Sequence, residues 1–326
     1  MKILFIDSGY SGIYDHFEKW ILKELSKEHE VIFFQIKSGL RSLQAITGTF
    51  MPDLALTLVG FKIPVHFHQW FKIKKIKSAV WFTEDPYYMD LSASLSHYYD
   101  YVFTIDSAAM EYYRENGHKH TYQLPLATEP SIFQPMEVDH RYKSDICIVG
   151  FPYPERLQYI QLLLQKTPYK ITLVGKWKNL LYPYLTNPNL AIHEGWVEPS
   201  VASKYYNGAK IVLNSHRPYN LQQNQNRVGI AGKTINNRTF DVAACETFQL
   251  IDHKEDLPKF FVENEEIAVY RDRDDLLDKI NYFMKNEEER NKIAANARKK
   301  VLNEHTFKHR LDELLKIVQN DALTTT

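Results

Sequence analysis

Short apolar runs rich in β-favouring residues alternate with helix-periodic segments twice along this chain, and a polar break separates the two series. The first series has runs at residues 3–7, 31–36, 54–59, 79–82 and 101–105. Between the first two, Phe17, Ile21, Leu22 and Leu25 recur at helical spacing within residues 15–27. Runs that are apolar throughout, rather than at every second position, belong to parallel strands covered on both faces. Residues 127–144 carry two prolines and no periodicity, which reads as an interdomain linker. A second series follows, with runs at 145–150, 171–175, 190–194, 211–214, 248–252 and 267–270 and with helices at 155–166 and 199–207. Three helices at 273–285, 287–303 and 307–319 close the chain, and 324–326 reads as a frayed tail. The pattern predicts an α/β chain of two Rossmann-like, doubly wound domains facing across a cleft. The expected boundaries are 1–140 and 141–305, with a final helix over 306–322 packing back on the first domain.

Composition narrows the function. Lys plus Arg and Asp plus Glu both total 40 in 326 residues, so the net charge is zero. A general nucleic-acid binder needs a basic surplus, so no nucleic-acid partner is expected. The run Lys72-Ile-Lys-Lys-Ile-Lys77 reads as a solvated helix end. The two cysteines, Cys147 and Cys245, sit in apolar runs without metal or redox spacing and read as core thiols of a reducing compartment. No apolar run reaches the ~20 residues that span a bilayer. Met1 leads directly into a strand, which leaves no room for a signal peptide, so a cytoplasmic protein is expected. The chain has 21 Tyr, 18 Phe and 5 Trp, many paired in polar company, as suits rings that pack while keeping a polar edge wet.

Ligands of such sheets bind beyond the carboxyl ends of the strands, and in the second series those ends are polar or basic. Gly150-Phe-Pro-Tyr-Pro-Glu-Arg156 follows the first strand, with Tyr153 in the turn and Arg156 placed to grip a diphosphate bidentately. Lys176 follows Gly175 as a point charge, Val197 offers backbone to a base, and Asn214-Ser-His-Arg217 ends the fourth strand. The stretch from Lys233 to Pro258 then reads as a polar loop, a helix over 236–245 and a buried strand. Asn236, Asn237, Arg238 and Thr239 open that helix, whose free N–H groups and partial positive charge suit a phosphate. Asp241 lies one turn on, where a carboxylate reaches a ribose diol. The plain alternative is an ordinary amphipathic helix with solvated Arg and Asp.

In the first series, Ser8-Gly-Tyr-Ser-Gly12 lacks a full G-x-G-x-x-G and suits an acceptor or sugar, with Gly9, Tyr10 and Gly12 as contacts. A general base is expected from the same domain. Asp85, just before Pro86, ranks first, followed by Glu84 and His16; His66 and His68 are further imidazoles, too few for a metal site.

Several separated blocks occur in one order: Asn237-Arg-Thr-Phe-Asp-Val-Ala-Ala-Cys-Glu-Thr-Phe-Gln-Leu-Ile-Asp252, then Glu255-Asp-Leu-Pro-Lys-Phe-Phe, then Glu289-Arg-Asn-Lys-Ile-Ala and Glu304-His-Thr-Phe-Lys-His-Arg310. With Trp81-Phe82-Thr-Glu-Asp-Pro86, they resemble the CgeB-type spore-maturation family, which groups with the GT-B glycosyltransferases. The resemblance is strong over about the last hundred residues and looser before them. It implies a metal-independent transferase of the hexosyltransferase type. The co-substrate is a nucleoside-diphosphate sugar, UDP-linked, with no separate cofactor and no metal. The acceptor is an unidentified glycan, protein or small molecule, and the setting is spore or cell-surface maturation. Asp241 falls where such enzymes often have Glu for the ribose hydroxyls. Glu246 replaces a usual glycine, and Lys233 stands where a relative with paired glutamates has an acid. A non-catalytic GT-B-like protein that binds nucleotide or glycan is the alternative. A two-domain dehydrogenase is a third reading, which the incomplete glycine loop opposes.

Overall fold

A computed structural model describes residues 1–324, with side chains described as far as Asp321; Thr325 and Thr326, in the tail expected to fray, lie outside the described residues. The chain forms two compact units. The first comprises Met1–Leu126, Tyr219–Thr234 and the stretch from Phe307 onward; the second comprises Ala127–Pro218 and Ile235–Thr306.

In the first unit the order is β1 (Lys2–Ile6), α1 (Ile13–Leu25), β2 (Glu30–Phe34), α2 (Gly39–Phe50), β3 (Leu54–Leu58), α3 (Val65–Lys74), β4 (Lys77–Phe82), α4 (Met89–Ser96), β5 (Tyr101–Thr104), α5 (Ser107–Glu115) and β6 (Thr121–Gln123). The strands pair in the order β2-β1-β3-β4-β5-β6, every pair parallel. β3, Leu-Ala-Leu-Thr-Leu, is buried at all positions, as a central strand covered on both faces must be. One face packs Leu4, Phe34, Leu43 and Phe67. The other packs Val80, Phe82, Val102 and Tyr113. Segment β6 escapes a sequence reading because Thr-Tyr-Gln has no apolar run; it is ordered by pairing with β5.

The second unit runs β7 (Ser144–Val149), α6 (Pro154–Lys166), β8 (Ile171–Gly175), β9 (Leu190–Glu194), α7 (Pro199–Asn207), β10 (Ala209–Asn214), α8 (Asn237–Ala244), β11 (Gln249–Asp252), β12 (Ala268–Tyr270), α9 (Arg273–Lys285) and α10 (Glu287–Glu304). Its sheet order is β12-β11-β10-β7-β8-β9, again all parallel. Ile146, Ile160, Leu173, Trp177, Leu213 and Leu250 fill its core. Phe248 meets Phe283 of α9 with ring centroids 4.5 Å apart.

Three features differ from the expected partition. The first break falls at Leu126–Ala127, because Thr128 bridges to Thr306 and its N–H reaches the His305 carbonyl at 3.2 Å within the second unit. The loop Tyr219–Thr234 counts with the first unit. There Asp106 accepts the N–H groups of Lys233 and Thr234 at 2.9 Å each, and Asp90 accepts that of Arg227 at 2.9 Å. The last helix, α11 (Phe307–Thr324), lies in the first unit. Its Phe307 packs on Phe17 and Trp20 of α1 at 5.8 and 5.7 Å, and Arg310 Nε donates to the Pro125 carbonyl at 2.8 Å. Both cysteines are buried and free, and burial pushes each thiol up to about 12. No helix among the described residues is long and apolar enough to cross a membrane.

Candidate functional site

The carboxyl ends of β7, β8 and β10 in the second unit converge on Gly150. Its φ of 149° is open to glycine, and a Cβ there would lie 2.9 Å from Arg238 Nη2 and 3.0 Å from Arg156 Nη1. A Cβ on Gly175 would run into the Gly150 carbonyl oxygen, so the two loops pack glycine on glycine. Trp177 Nε1 donates to that carbonyl at 3.0 Å and fixes the loop.

Two guanidinium groups thus flank one loop, and they do different work. Arg156 is buried; Nε donates to Ser215 Oγ at 2.9 Å, Nη1 to the Phe151 carbonyl at 2.8 Å and Nη2 to the Ser215 carbonyl. Three of its five N–H groups are thus engaged and the side chain is 3 % exposed, which leaves little of it for the expected bidentate grip on a diphosphate; its main contribution is charge and rigidity. Burial, then the charge of Arg238, lowers it to about 10. Arg238 is half-exposed and donates Nη1 to Asn214 Oδ1 at 3.1 Å. Among the described residues neither arginine has a carboxylate ion-pair partner. Two like charges held together, with Asp252 and Asp241 acting on them only from beyond ion-pair contact, form a site that an anion relieves.

Helix α8 brings Arg238 to this place. Asn236 caps it, accepting the Thr239 N–H through its side chain. Asn214 is wholly buried; its Nδ2 donates to Thr239 Oγ1 at 3.0 Å and its Oδ1 accepts from Asn236 Nδ2 at 3.0 Å. Asn214 and Thr239 are therefore corrected from ligand contacts to positioning residues. His216 completes the anchor, a role the sequence did not signal because its partners are remote. Its Nδ1 donates to Asp252 Oδ1 at 2.6 Å, and its Nε2 accepts the Asn236 N–H at 3.0 Å, a tautomer assigned from those partners. Burial holds this imidazole below its ordinary pKa, against the pull of Asp252.

Asp241 is 6 % exposed on the same helix, and its Oδ1 has no hydrogen-bond partner among the described residues. Its Oδ2 accepts weakly from Asn237 Nδ2 at 3.4 Å. Burial pushes the carboxyl up to about 8. The Thr128 hydroxyl, then the charge of Arg238, partly offset that rise. Around these groups, Tyr153 lies under Arg156 at 4.8 Å and Arg217 at 5.8 Å. Lys176 is exposed after β8, and Val197 is half-buried before α7. Glu246 follows α8 with φ 55°, the left-handed conformation at a helix end that explains the usual glycine. Lys233, where an acid was sought, donates Nζ to Glu111 at 2.9 Å in the first unit.

Three candidate bases occupy the first unit, and the favoured one is corrected. Asp85 is 1 % exposed, with Oδ1 accepting from Ser92 Oγ at 2.7 Å and Oδ2 from Thr104 Oγ1 at 2.7 Å and Tyr113 OH at 2.8 Å. It ties β4, α4, β5 and α5 together and has no face for a substrate. Burial raises it to about 6, partly offset by the three hydroxyls. The fold holds the extra proton between ~3.9, the unfolded value, and about 6. The linked stability is therefore present below ~3.9 and lost as pH rises through that window. Asp85→Asn does not titrate. Denaturant unfolding should show it ~1–3 kcal/mol less stable than wild type near pH 5, with a smaller deficit at pH 8.

Glu84 is half-buried at the carboxyl end of β4, and Tyr14 OH, 2.9 Å from Thr83 Oγ1, donates to its Oε1. His16 is half-buried beside Trp20, ring centroids 5.7 Å apart. His66 is exposed, and His68 lies against Tyr98 and Tyr99. At the end of β1, Gly9 and Gly12 hold φ of 71° and 77°. Lys62 sits 3.8 Å over the Tyr10 ring and donates to the Gly9 carbonyl at 2.6 Å. This loop borders a pocket of about 610 Å³ that also involves Asp7, Asp15, Glu18 and Lys37.

Residues 156–316 match a family profile described as glycosyl transferase-like. Among solved structures of whole-chain similarity, sucrose-phosphate synthase from Thermosynechococcus elongatus is 11% identical with a TM-score of 0.70, covering 100% of each chain. A glycosyltransferase from Rickettsia africae is 14% identical with a TM-score of 0.68, covering 98% of each. Anabaena HepE in complex with UDP and glucose is 11% identical with a TM-score of 0.64, covering 100% of this chain and 99% of that one. These likenesses establish the GT-B fold. Spore protein CgeB of Bacillus subtilis (strain 168) is 38% identical over 309 residues, 94% of this chain and 95% of that protein. At that identity over nearly the whole of both chains, the chain belongs to the CgeB family.

Proposed function

We propose that the protein is a glycosyltransferase whose second unit binds a nucleoside-diphosphate sugar, with UDP as the nucleotide. The observation that carries this reading is the pair of arginines, Arg156 and Arg238, held at Gly150 and the start of α8 with no carboxylate in ion-pair contact among the described residues. The diphosphate takes Arg238 and the N-terminal N–H groups of the helix, and Arg156 adds charge from beneath. The ribose hydroxyls donate to the carboxyl of Asp241. Lys176 and Arg217 border the phosphates, Asn237 the ribose, and Val197 the base. As the sugar leaves the diphosphate, negative charge grows on the phosphate oxygens, and these cations meet it without recourse to a metal.

The acceptor, a glycan, protein or small molecule, is taken by the Gly9–Gly12 loop and Tyr10 in the first unit. Glu84 receives the proton of the attacking hydroxyl, whose oxygen forms the new bond to the anomeric carbon while the bond to diphosphate breaks. The similarity to the spore protein CgeB supports a role connected with the spore.

A binding protein without turnover is the alternative, favoured by Lys233 being engaged with Glu111 where relatives carry an acid. Incubation with radiolabelled UDP-sugars and cell-surface extracts separates the two. Labelled product or slow release of free sugar is expected. Saturable binding of UDP-sugar with neither product would establish the alternative instead.

A further inference from the structure

The lysine-rich end of α3, which the sequence alone presents as a solvated helix terminus, borders a cavity. A pocket of about 560 Å³ lies where α3 and α4 end and β4 begins, bounded by His68, Lys72, Lys75, Lys77, His97 and Tyr98. Lys77 and Ser78 open β4, so the pocket occupies the amino-terminal edge of the first sheet, away from the strand ends that carry Gly9 and Glu84.

His68 is the unusual group. It is 6 % exposed, and neither ring nitrogen has a hydrogen-bond partner among the described residues. Tyr98 stacks on it at 5.2 Å and 17°, and Tyr99 meets it edge-on at 4.7 Å, so the ring is fixed by its faces while its polar edge stays unsatisfied. Leaving buried donors and acceptors unmade is costly, and native structures rarely do so without a ligand or ordered water. Burial, then the neighbouring His97, lowers this imidazole to about 4.

The charge around the edge says what would satisfy it. Lys72, Lys75 and Lys77 stand against a single carboxylate of the lining, Asp100, which accepts the Ser78 N–H at 2.7 Å and the Ser78 hydroxyl at 3.0 Å and lies 4.0 Å from Lys77 Nζ, so Lys72 and Lys75 carry the surplus. The carboxyl pole of α3 offsets about half a charge of that surplus, leaving the pocket cationic in a chain with zero net charge. We propose that this pocket binds the phosphate group of a phosphoester, with His68 as the buried donor and the three lysines at its mouth. An oxyanion lets His68 take up a proton and use both N–H groups, so binding tightens as pH falls from 8 to 6.

The site is independent of the nucleotide reading, because it lies in the other unit at the opposite strand edge. Calorimetric titration of the full chain with inorganic phosphate and glycerol 3-phosphate, at pH 6 and 8, tests it. Sedimentation with phosphatidylglycerol-containing vesicles runs beside it. Saturable phosphate binding, stronger at pH 6, is expected. His68→Phe and, separately, Lys75→Gln/Lys77→Gln should each weaken it about tenfold or more. His68→Phe should leave the protein as stable or more so. Vesicle capture would identify the phosphate as a lipid headgroup, and its absence a free phosphoester. No binding in either arm, or binding unchanged in both variants, would overturn the proposal.

Discussion

Glu84→Gln is expected to lower sugar transfer by ~10²–10⁴-fold, the range for a lost general base, while UDP-sugar affinity stays within about twofold. Glutamine keeps the size of the side chain and still accepts from Tyr14, so the fold and the acceptor loop should hold. It cannot take a proton from the acceptor hydroxyl. The neighbouring carboxylate is the control: Asp85→Asn should retain turnover near wild type, because all three of its partners are structural hydroxyls. The pair of variants therefore separates chemistry from stability within one dipeptide. A Glu84→Gln enzyme with full turnover would transfer the role to His16, and a nearly inactive but well-folded Asp85→Asn would contradict the structural assignment of that carboxyl.

The second large effect concerns the anion site. Arg238→Ala should weaken UDP binding by ~1.5–3 kcal/mol, the contribution of charge-assisted hydrogen bonds, or about 10- to 150-fold in Kd. Among the described residues its one hydrogen bond is to Asn214, itself held by Asn236, Thr239 and Gln249, so the helix start should survive the substitution. Thermal unfolding without ligand should thus change little, and the stabilisation by UDP should shrink, since a ligand raises native-state stability with the logarithm of its concentration over Kd. Arg238→Lys should recover only part of the loss, because an ammonium cannot bridge Asn214 and a phosphate in one plane.

Much of this was readable before any coordinates. The apolar runs place eleven of the twelve strands to within two residues, missing only β6, and put the start of α8 at Asn236. Two of the ends, Gly150 and Gly175, carry glycines because adjacent loops touch backbone to backbone. What could not be read was set by long-range partners. Thr83-Glu84-Asp85-Pro86 shows two carboxylates at one turn, and nothing local says which points inward. Ser92, Thr104 and Tyr113, distant in sequence, decide it. Arg156 has the spacing of a phosphate ligand, but Ser215, far along the chain, claims its donors. His216 stands in the polar end of the fourth strand, but its anchoring role lies in Asp252 and the Asn236 N–H, which no local pattern shows. The loop Tyr219–Thr234 looked like part of the second unit because it precedes α8 in sequence, whereas Asp90 and Asp106 hold it in the first.

The central claim is that the cradle of Gly150, Arg238 and the start of α8 receives the nucleotide. Titrating UDP into the isotopically labelled chain and following backbone amide and arginine side-chain resonances tests it without any substitution. The largest shifts should fall on Gly150, Asn237, Arg238 and Thr239, with smaller ones at Lys176 and Val197 and little change at His68 or Lys77. Saturable binding that moves only first-unit resonances, leaving Gly150 and Arg238 still, would contradict the account.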